Sequence, residues 1–527
     1  MHSKNDEGPD NLPWFRRFRS DGRMEPHVTR GDEGEILIID DDGWAASFKN
    51  GEWHDGIVFA HEQIAEFTPV QDRNEIYRLF GQARTALGAK GMAQDAKPRA
   101  LSSQRDDLVR TGPGTAAGSY LRTFWNPIYH AIDLEVGRPV PLRVMGETFT
   151  LYRGEGGQAF LVEAQCPHRG AQLSAARVEA DALRCFYHGW KFESDGRCSE
   201  QPAEESRFCN KVSIRTWPVR EYLGLIFAYL GQGRPPEFPL YPEFETFGGL
   251  LEIDSYLRRC NYFQNVENAL DMSHVAFTHG DNRAAFDKIG LGRSLHAEES
   301  DWGITYTFTR DDGAKRVHQF GMPNMIHLAA LPNDPEIGWQ ESLFWWVPVD
   351  DSSHVQFSIH RIPVAGEAAA RVKERRQARR SRIDIAHQDA CDMVLSGRAR
   401  MEDFDGSRVD LVRLQDDVAQ LGQGIIADRS REHLGRADVG ITAIRRLWRR
   451  ELANLASGLP CKHWSRSGAI KVHAWNIPGN LARVSGEDPS DRIATKAEIV
   501  DVRPFVEIEK QKAALHYSPR EYSGSAL

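Results

Sequence analysis

The sequence predicts an α+β protein: an antiparallel β domain followed by a domain that combines an antiparallel sheet with helices. Three observations carry that prediction. Between Tyr120 and about Leu230, runs such as FTLYR, AFLVEA, LRCFYHGWKF, VSIRTWPV and LGLIFAYL are rich in β-branched and aromatic residues, with turn residues between them. The Pro-rich GQGRPPEFPLYPEF at 231–244 then interrupts the pattern. Beyond it, a helical stretch at 265–278 precedes strands at 303–310, 324–330, 341–348 and 354–361 and then further helices.

In chain order, GEILIIDDDGWAASF (34–48) reads as a strand pair and NEIYRLFGQARTAL (74–87) as a helix. From Gly88 to about Ala116, small and polar residues displace large apolar ones, which marks a linker. Met92 lies inside it, so the residues before it could equally be an arbitrary upstream extension. The expected division is an N-terminal extension and linker over 1–117, the β domain over 118–232, the second domain over 233–470, and a C-terminal extension over 471–527 with a covering or subunit-contact role. Within the β domain, Gly154-Glu-Gly156-Gly157 reads as a strand-to-strand turn, not as a nucleotide-binding Gly-x-Gly-x2-Gly that opens a helix. Residues 365–398 read as charged helix, with RVKERRQARRSR at their centre as a solvated face or, less simply, a docking patch for an acidic partner.

Composition narrows the function classes. The 527 residues are 41% hydrophobic and 27% charged, enough to bury a core in two or three domains. Sixty-six basic residues against 75 acidic ones leave a net charge of −9, which disfavours a nucleic-acid partner. Seven cysteines do not form a disulfide framework. The chain contains no apolar run long enough to cross a membrane, and its first twenty residues lack the apolar core of a secretory signal. The expected location is the cytoplasm, with neither nucleic acid nor membrane as partner.

Two constellations carry chemistry. Cys166-Pro-His168 and Cys185-Phe-Tyr-His188 give Cys-x-His, sixteen intervening residues, then Cys-x2-His. Thiolates hold iron with sulfide, and imidazoles raise the potential of such a cluster. A Rieske [2Fe-2S] centre needs two cysteines on one iron and two histidines on the other, and each loop here offers one of each. Structural zinc is the alternative, but zinc fingers group their cysteines and histidines separately, whereas these alternate. Trp190 is expected to pack over the second loop, and Cys198, Cys209, Cys260, Cys391 and Cys461 to be free thiols.

The second constellation lies at 265–279. Glu267, Asp271 and His274 recur at four and three residues and so share one helical face. His279 follows five residues later, about 140° round an ideal helix, so the helix must end or distort for both imidazoles to converge. Two histidines with a carboxylate form the facial set of non-haem iron(II).

On these residues the chain resembles the oxygenase α subunit of the Rieske non-haem iron aromatic-ring hydroxylases, over roughly Leu108 to Ser457. CPHRGAQL and CFYHGWKFESDGRC resemble that family's cluster-binding loops, and Glu-x3-Asp-x2-His-x4-His its mononuclear-iron motif. The resemblance implies His274 and His279 as iron ligands. It implies Asp271 as a bridging aspartate between His274 and His188 of a neighbouring subunit. A distant carboxylate must complete the set: Gln415-Asp416 followed by Gln420 and Gly424, with DRSREHLG beyond, resembles the ligand helix of the phthalate dioxygenase subgroup and points to Asp416. Periodicity leaves Asp417 open, because the Leu411, Leu414, Val418 and Leu421 stripe lies nearer to it, while Val412 and Ala419 flank Asp416.

The family implies a Rieske domain followed by a helix-grip catalytic domain. It also implies a mononuclear non-haem Fe(II) beside the cluster, and hydroxylation or oxidative O-demethylation of a small aromatic compound such as an aromatic carboxylate or aryl ether with O2. Electrons would come from a separate NAD(P)H-dependent reductase carrying flavin and a plant-type ferredoxin cluster. A head-to-tail homotrimer or dimer of trimers would bring one subunit's cluster beside the next subunit's iron. The alternative is a Rieske electron-transfer protein without oxygenase activity. Arg258 and Arg259 could bind a substrate carboxylate but read as surface residues.

Overall fold

The computed structural model describes residues 108–245, 249–279, 294–309, 315–332, 337, 339–362, 364–380, 383, 385–404, 408, 410–466 and 497–516, together with short stretches between 27 and 79. The chain forms two compact units, Met1–Ala100 and Leu101–Leu527. In the first, five short strands between His27 and Pro69 make an antiparallel sheet. Ile36–Ile39 pairs with Ala45–Lys49 inside the segment expected to be a strand pair. The helix expected at 74–87 lies almost wholly outside the described residues.

The second unit begins before residue 118. Leu108 and Val109 are buried in its main core, and helix α1 (Ala116–Arg122) is capped by Thr115. Strands Val140–Val144, Glu147–Arg153, Ala159–Glu163 and Thr216–Trp217 form one antiparallel sheet, and Trp125–His130, Val219–Tyr222 and Leu225–Tyr229 a second. Leu225–Tyr229 is buried at every position, because both faces of that strand are covered. The Gly154–Gly157 segment is the expected turn between strands, with the Gly157 N–H bonded to the Gly154 carbonyl and Gly157 at φ +86. Four short strands, Arg177–Glu179, Ala182–Arg184, Lys191–Phe192 and Cys198–Glu200, make a third sheet at the end that carries the cysteine–histidine loops. Those loops rest on their own small core, which includes Tyr152, Leu173, Phe192 and Ile214.

Beyond the short helix α2 (Pro242–Glu245) the chain builds an eight-stranded sheet. Its strands are β1 (Leu250–Arg258), β2 (Ser294–Glu299), β3 (Gly303–Thr309), β4 (Lys315–Gly321), β5 (Met325–Pro332), β6 (Trp339–Pro348), β7 (His354–Ile362) and β8 (Glu498–Asp501), in the spatial order β2-β3-β4-β5-β6-β7-β1-β8. All neighbours run antiparallel except β8, which runs parallel to β1. The two faces have different work. Leu343 and Trp345 face the β domain: the Trp345 ring lies 5.7 Å from that of Phe227, and Tyr241 donates to the Met325 sulfur at 3.1 Å. The other face carries Glu252, Asp254 and Tyr256 in register with His360, Ser358 and Gln356, and it receives helices.

Those helices are α3 (Tyr262–Asn268), α4 (Ser273–Thr278), α5 (Gly366–Arg380), α6 (His387–Leu395), α7 (Leu411–Leu421) and α8 (Val439–Ala456). A further helix, α9 (Phe505–Leu515), lies along β1, with Gln511 accepting from Ser255, and reaches the β domain. Arg376 of α5 bonds Glu252 at 2.9 Å, and Arg413 of α7 bonds Asp254 while lying 4.5 Å from the Tyr256 ring centre. Helix α8 is anchored by Trp448, fully buried against Tyr120 and Phe263.

Three expectations need correction. The helical stretch at 265–278 is two helices, α3 and α4, because residues 269–272 leave the helical path. The basic segment of α5 is not simply solvated: Lys373 pairs with Glu498, and Arg380 donates to the Asp501 and Arg503 carbonyls, so its acidic partner is the chain's own C-terminal segment. Residues 497–516 do more than cover the domain, since β8 extends the sheet, α9 packs on β1, and buried Arg503 reaches Asp133 at 2.8 Å.

Gly440 shows how tightly α8 holds the α3–α4 link. A Cβ there would lie 2.3 Å from the Leu270 carbonyl oxygen, a backbone atom with no room to yield. Gly440→Ala is expected to cost about 1–3 kcal/mol by overpacking, seen as a lower melting temperature, and to displace the link that leads into His274. An unchanged melting temperature would show that the link is looser than this contact requires.

Candidate metal centres

The two cysteine–histidine loops are built alike. The Cys166 N–H bonds the Ala171 carbonyl at 2.8 Å and the Cys185 N–H bonds the Trp190 carbonyl at 2.8 Å. Four residues after each cysteine, Gly170 and Gly189 turn the chain at φ +73 and +74, and each donates its N–H back to the cysteine carbonyl. Glycine is needed there, since other residues rarely adopt that backbone conformation. The loops thus present both cysteines inward, buried, and both histidines at the tip, with the His168 and His188 ring centres 4.4 Å apart. Trp190, which follows the second loop, stacks on His168 of the first, ring centres 4.5 Å apart. Arg184 braces the second loop by donating to the Gly189 carbonyl while held by Glu179 and Glu200.

Burial, reinforced by nearby Cys185, pushes the Cys166 thiol up to about 12. A metal that takes the thiolate must therefore displace a firmly held proton. Two inward sulfurs and two half-exposed imidazoles are the donor set that a Rieske cluster would take. Phe186 and Tyr187, between Cys185 and His188, are exposed at 71% and 53%, which leaves an apolar surface beside the histidine tip.

The second centre depends on the break between α3 and α4. Asp271 sits in that break, and its Oδ1 accepts the N–H groups of Ser273 and His274 at 2.9 and 3.4 Å, starting α4 afresh. Helix α4 ends at Thr278, and His279 leaves it at φ −107 and ψ 11. The two imidazoles then face each other, ring centres 5.4 Å apart, with Asp416 of α7 between them. Its Oδ1 lies 3.6 Å from His274 Nε2 and 3.3 Å from His279 Nε2. One donor atom from each of the three falls within 4.8 Å of the other two. Burial alone would raise the Asp416 carboxyl, but the hydrogen bond and charge of His279, with the charges of His274 and Arg258, together outweigh it and hold the group down at about 2.

The surroundings prepare these donors. Gln415 Oε1 accepts from His279 Nδ1 at 2.9 Å, which fixes the ring with Nε2 turned toward Asp416. Asn268 donates to Asp416 at 3.4 Å. His274 Nδ1 is buried without a hydrogen bond, and Asp271 Oδ2 stands 3.8 Å away. Two imidazoles and one carboxylate, each with a donor atom turned to the same point, suit a divalent iron.

Other predicted residues go elsewhere. Glu267 does not join the histidines: Arg429 and Arg445 clamp it, at 2.8 and 2.5 Å. Asp417 points away from Asp416, into a buried group with Arg258, His387 and Gln388. Arg258 is accordingly no surface residue; it is 1% exposed, and the carboxylate of Asp417 with the amide oxygen of Asn265 compensates its charge. Arg259 is half-exposed and pairs with Asp392, as a surface residue would. Sequence reasoning missed Asn268, His387 and Glu507, whose partners lie more than a hundred residues away or on separate helices, beyond any local spacing signal. It also missed a second donor group, Glu243, His327 and Glu341 on the sheet's opposite face. Arg466 and Arg361 neutralise its carboxylates, so it reads as a buried ion-pair lock.

A family model for the Rieske [2Fe-2S] domain matches residues 124–221. The chain is 32% identical over 388 residues to the 5,5'-dehydrodivanillate O-demethylase oxygenase subunit of Sphingobium sp. (strain NBRC 103272 / SYK-6), covering 70% of this chain and 84% of that protein. It is 30% identical over 382 residues to the phenoxybenzoate dioxygenase subunit alpha of Ectopseudomonas oleovorans, covering 67% and 85%. It is also 30% identical over 381 residues to the tert-butanol monooxygenase / tert-amyl alcohol desaturase oxygenase subunit of Aquincola tertiaricarbonis, covering 68% and 78%.

The buried group around Asp417 has a measurable signature. Burial would lower His387, but the hydrogen bonds to Asp417 and Glu507 outweigh it and raise it from 6.5 to about 9. Its stabilisation is therefore complete below pH 6.5 and lost as the pH rises through 9. The melting temperature is expected to fall between pH 6.5 and 9.5, and less steeply in His387→Gln. Parallel curves for the two proteins would refute the charged state assigned to His387.

Proposed function

We propose how this chain acts from the family it belongs to, the Rieske non-haem iron oxygenases, of which it is an oxygenase subunit. It is an oxidoreductase that uses dioxygen and not a pure electron carrier, and its electrons come from a separate reductase or ferredoxin. It carries a Rieske [2Fe-2S] domain, and its relatives hold a mononuclear non-haem iron.

In our reading, Cys166, His168, Cys185 and His188 hold the cluster, and His274, His279 and Asp416 hold iron(II). Bound, the two centres supply one-electron delivery and dioxygen activation. The protein's own groups prepare that chemistry. Gln415 holds the His279 proton on Nδ1, Asn268 steadies the Asp416 carboxylate, and Asp271 fixes the start of α4 so that His274 faces inward. The exposed Phe186 and Tyr187 offer the histidine tip an apolar contact surface. We place Asp271 at a subunit boundary, between His274 and His188 of the neighbouring subunit, in a head-to-tail homotrimer or dimer of trimers. We assign the electron supply to an NAD(P)H-dependent reductase with flavin and a plant-type ferredoxin cluster, and the chain to the cytoplasm. Among the described residues no helix is long and apolar enough to cross a membrane.

The substrate we propose is a small aromatic compound, an aryl methyl ether or aromatic carboxylate, hydroxylated or demethylated by hydroxylation of its methyl group. The relative named for O-demethylation of dehydrodivanillate and the one named for phenoxybenzoate favour this class. The relative named for tert-butanol favours a second reading, a branched aliphatic alcohol. The observation that carries the oxygenase mechanism is the meeting of His274, His279 and Asp416 in a chain with a Rieske domain.

Iron and sulfide analysis tests the ligands. The wild-type chain is expected to hold three irons and two sulfides, and Asp416→Ala two of each with an unchanged Rieske absorption spectrum; three irons in the variant would remove Asp416 from the ligand set. Asp271→Asn should keep all metals and lose about 10–100-fold in turnover, and full activity would end its bridging role. With reductase, NADH and methoxylated biaryl carboxylates, formaldehyde release coupled to oxygen uptake is expected. Turnover of tertiary alcohols alone would establish the second reading.

A further inference from the structure

We infer that Glu507 and His387 are positioning residues for the mononuclear iron: through Asp417 they set the rotation of helix α7 and hence the direction of Asp416. This rests on the ligand reading above.

The side chains form one buried line. Glu507 Oε1 lies 2.8 Å from His387 Nδ1, and His387 Nε2 lies 3.1 Å from Asp417 Oδ2. Gln388 donates to the same Asp417 oxygen at 2.9 Å, and the Arg258 guanidinium binds Oδ1. Arg258, Asp417, His387 and Glu507 are each no more than 2% exposed. Both ring nitrogens of His387 lie against carboxylate oxygens, and the charges alternate along the line. Arg258 continues it to Asn265, whose amide reaches Gln420. Helix α3, which carries Asn268, is thereby tied to helix α7, which carries Asp416 and Gln415.

Consecutive helical residues point about 100° apart. Holding Asp417 toward Arg258 and His387 therefore turns Asp416 toward His274 and His279, where 3.3–3.6 Å contacts leave little tolerance. Apolar packing could give α7 equal stability, because a buried ion chain is seldom the most stabilising filling of such a space. Directional hydrogen bonds can specify a rotation that apolar packing leaves loose. The far end of the line belongs to α9, mounted by the parallel pairing of β8 with β1 and by the Arg503–Asp133 ion pair. The segment beyond residue 496 is in this way part of the metal centre, though none of its described residues is among the donors.

The test uses full-length holoenzyme variants. Iron(II) affinity at the mononuclear site is measured by chelator competition, with cluster content followed by visible absorption and the nitrosyl adduct of the iron(II) by EPR. Glu507→Gln keeps the size of the side chain and is expected to weaken iron(II) binding about 10–100-fold, with an altered nitrosyl signal and an unchanged Rieske spectrum. Gln388→Leu, which leaves no charge unpaired, should weaken it less and in the same direction. Wild-type affinity and nitrosyl signal in both variants would overturn the inference, even with a lower melting temperature. Asp416→Ala is the control: if it too retains iron, the ligand reading fails, and if it loses iron while the other two do not, only the positioning role fails.

Discussion

Two imidazoles five residues apart cannot face one carboxylate from an unbroken helix, and the second domain is organised around that constraint. The chain leaves the helical path at residues 269–272, restarts it on the Asp271 carboxylate, and stops it again at His279. The break is held from outside. Gly440 lets helix α8 approach the Leu270 carbonyl directly, and α8 is in turn anchored by Trp448 between the first and second domains. A local departure from regular structure is thus secured by packing from elements nearly two hundred residues away.

Buried charge is the second organising feature. Glu267 meets Arg429 and Arg445, Asp254 meets Arg413, and Asp417 meets Arg258 and His387. Each pair removes the cost of an isolated buried ion and makes a directional link between elements distant in sequence. The helices over the sheet are set in angle by these links as well as by apolar contacts. That matters where a neighbouring side chain, Asp416, points toward two histidines at 3.3 and 3.6 Å.

The cysteine–histidine loops solve a simpler problem. Each is closed by the same two backbone hydrogen bonds and one left-handed glycine, on a small core of its own, so their geometry is nearly independent of the rest of the chain. The base of the same domain merges with the main core, so this self-contained tip stands on a shared foundation.

The strand-rich first domain, the paired loops around Cys166 and Cys185, and the approach of His274 to His279 are legible in the sequence. These are patterns of period two, of tight turns, or of residues within two helical turns, where covalent spacing restricts the geometry. The family resemblance pointed to Asp416 while periodicity left Asp417 open; it is the packing that turns Asp416 to the histidines and Asp417 to Arg258 and His387. It also moved Arg258 from the expected surface into the core, took Glu267 away from the histidines, gave the basic helix an acidic partner in the chain's own C-terminus, and made residues 498–515 part of the sheet and its support. Each of those outcomes depends on a contact between residues more than a hundred apart or on separate elements. Such contacts are set by how faces pack, and spacing along the chain carries no record of them.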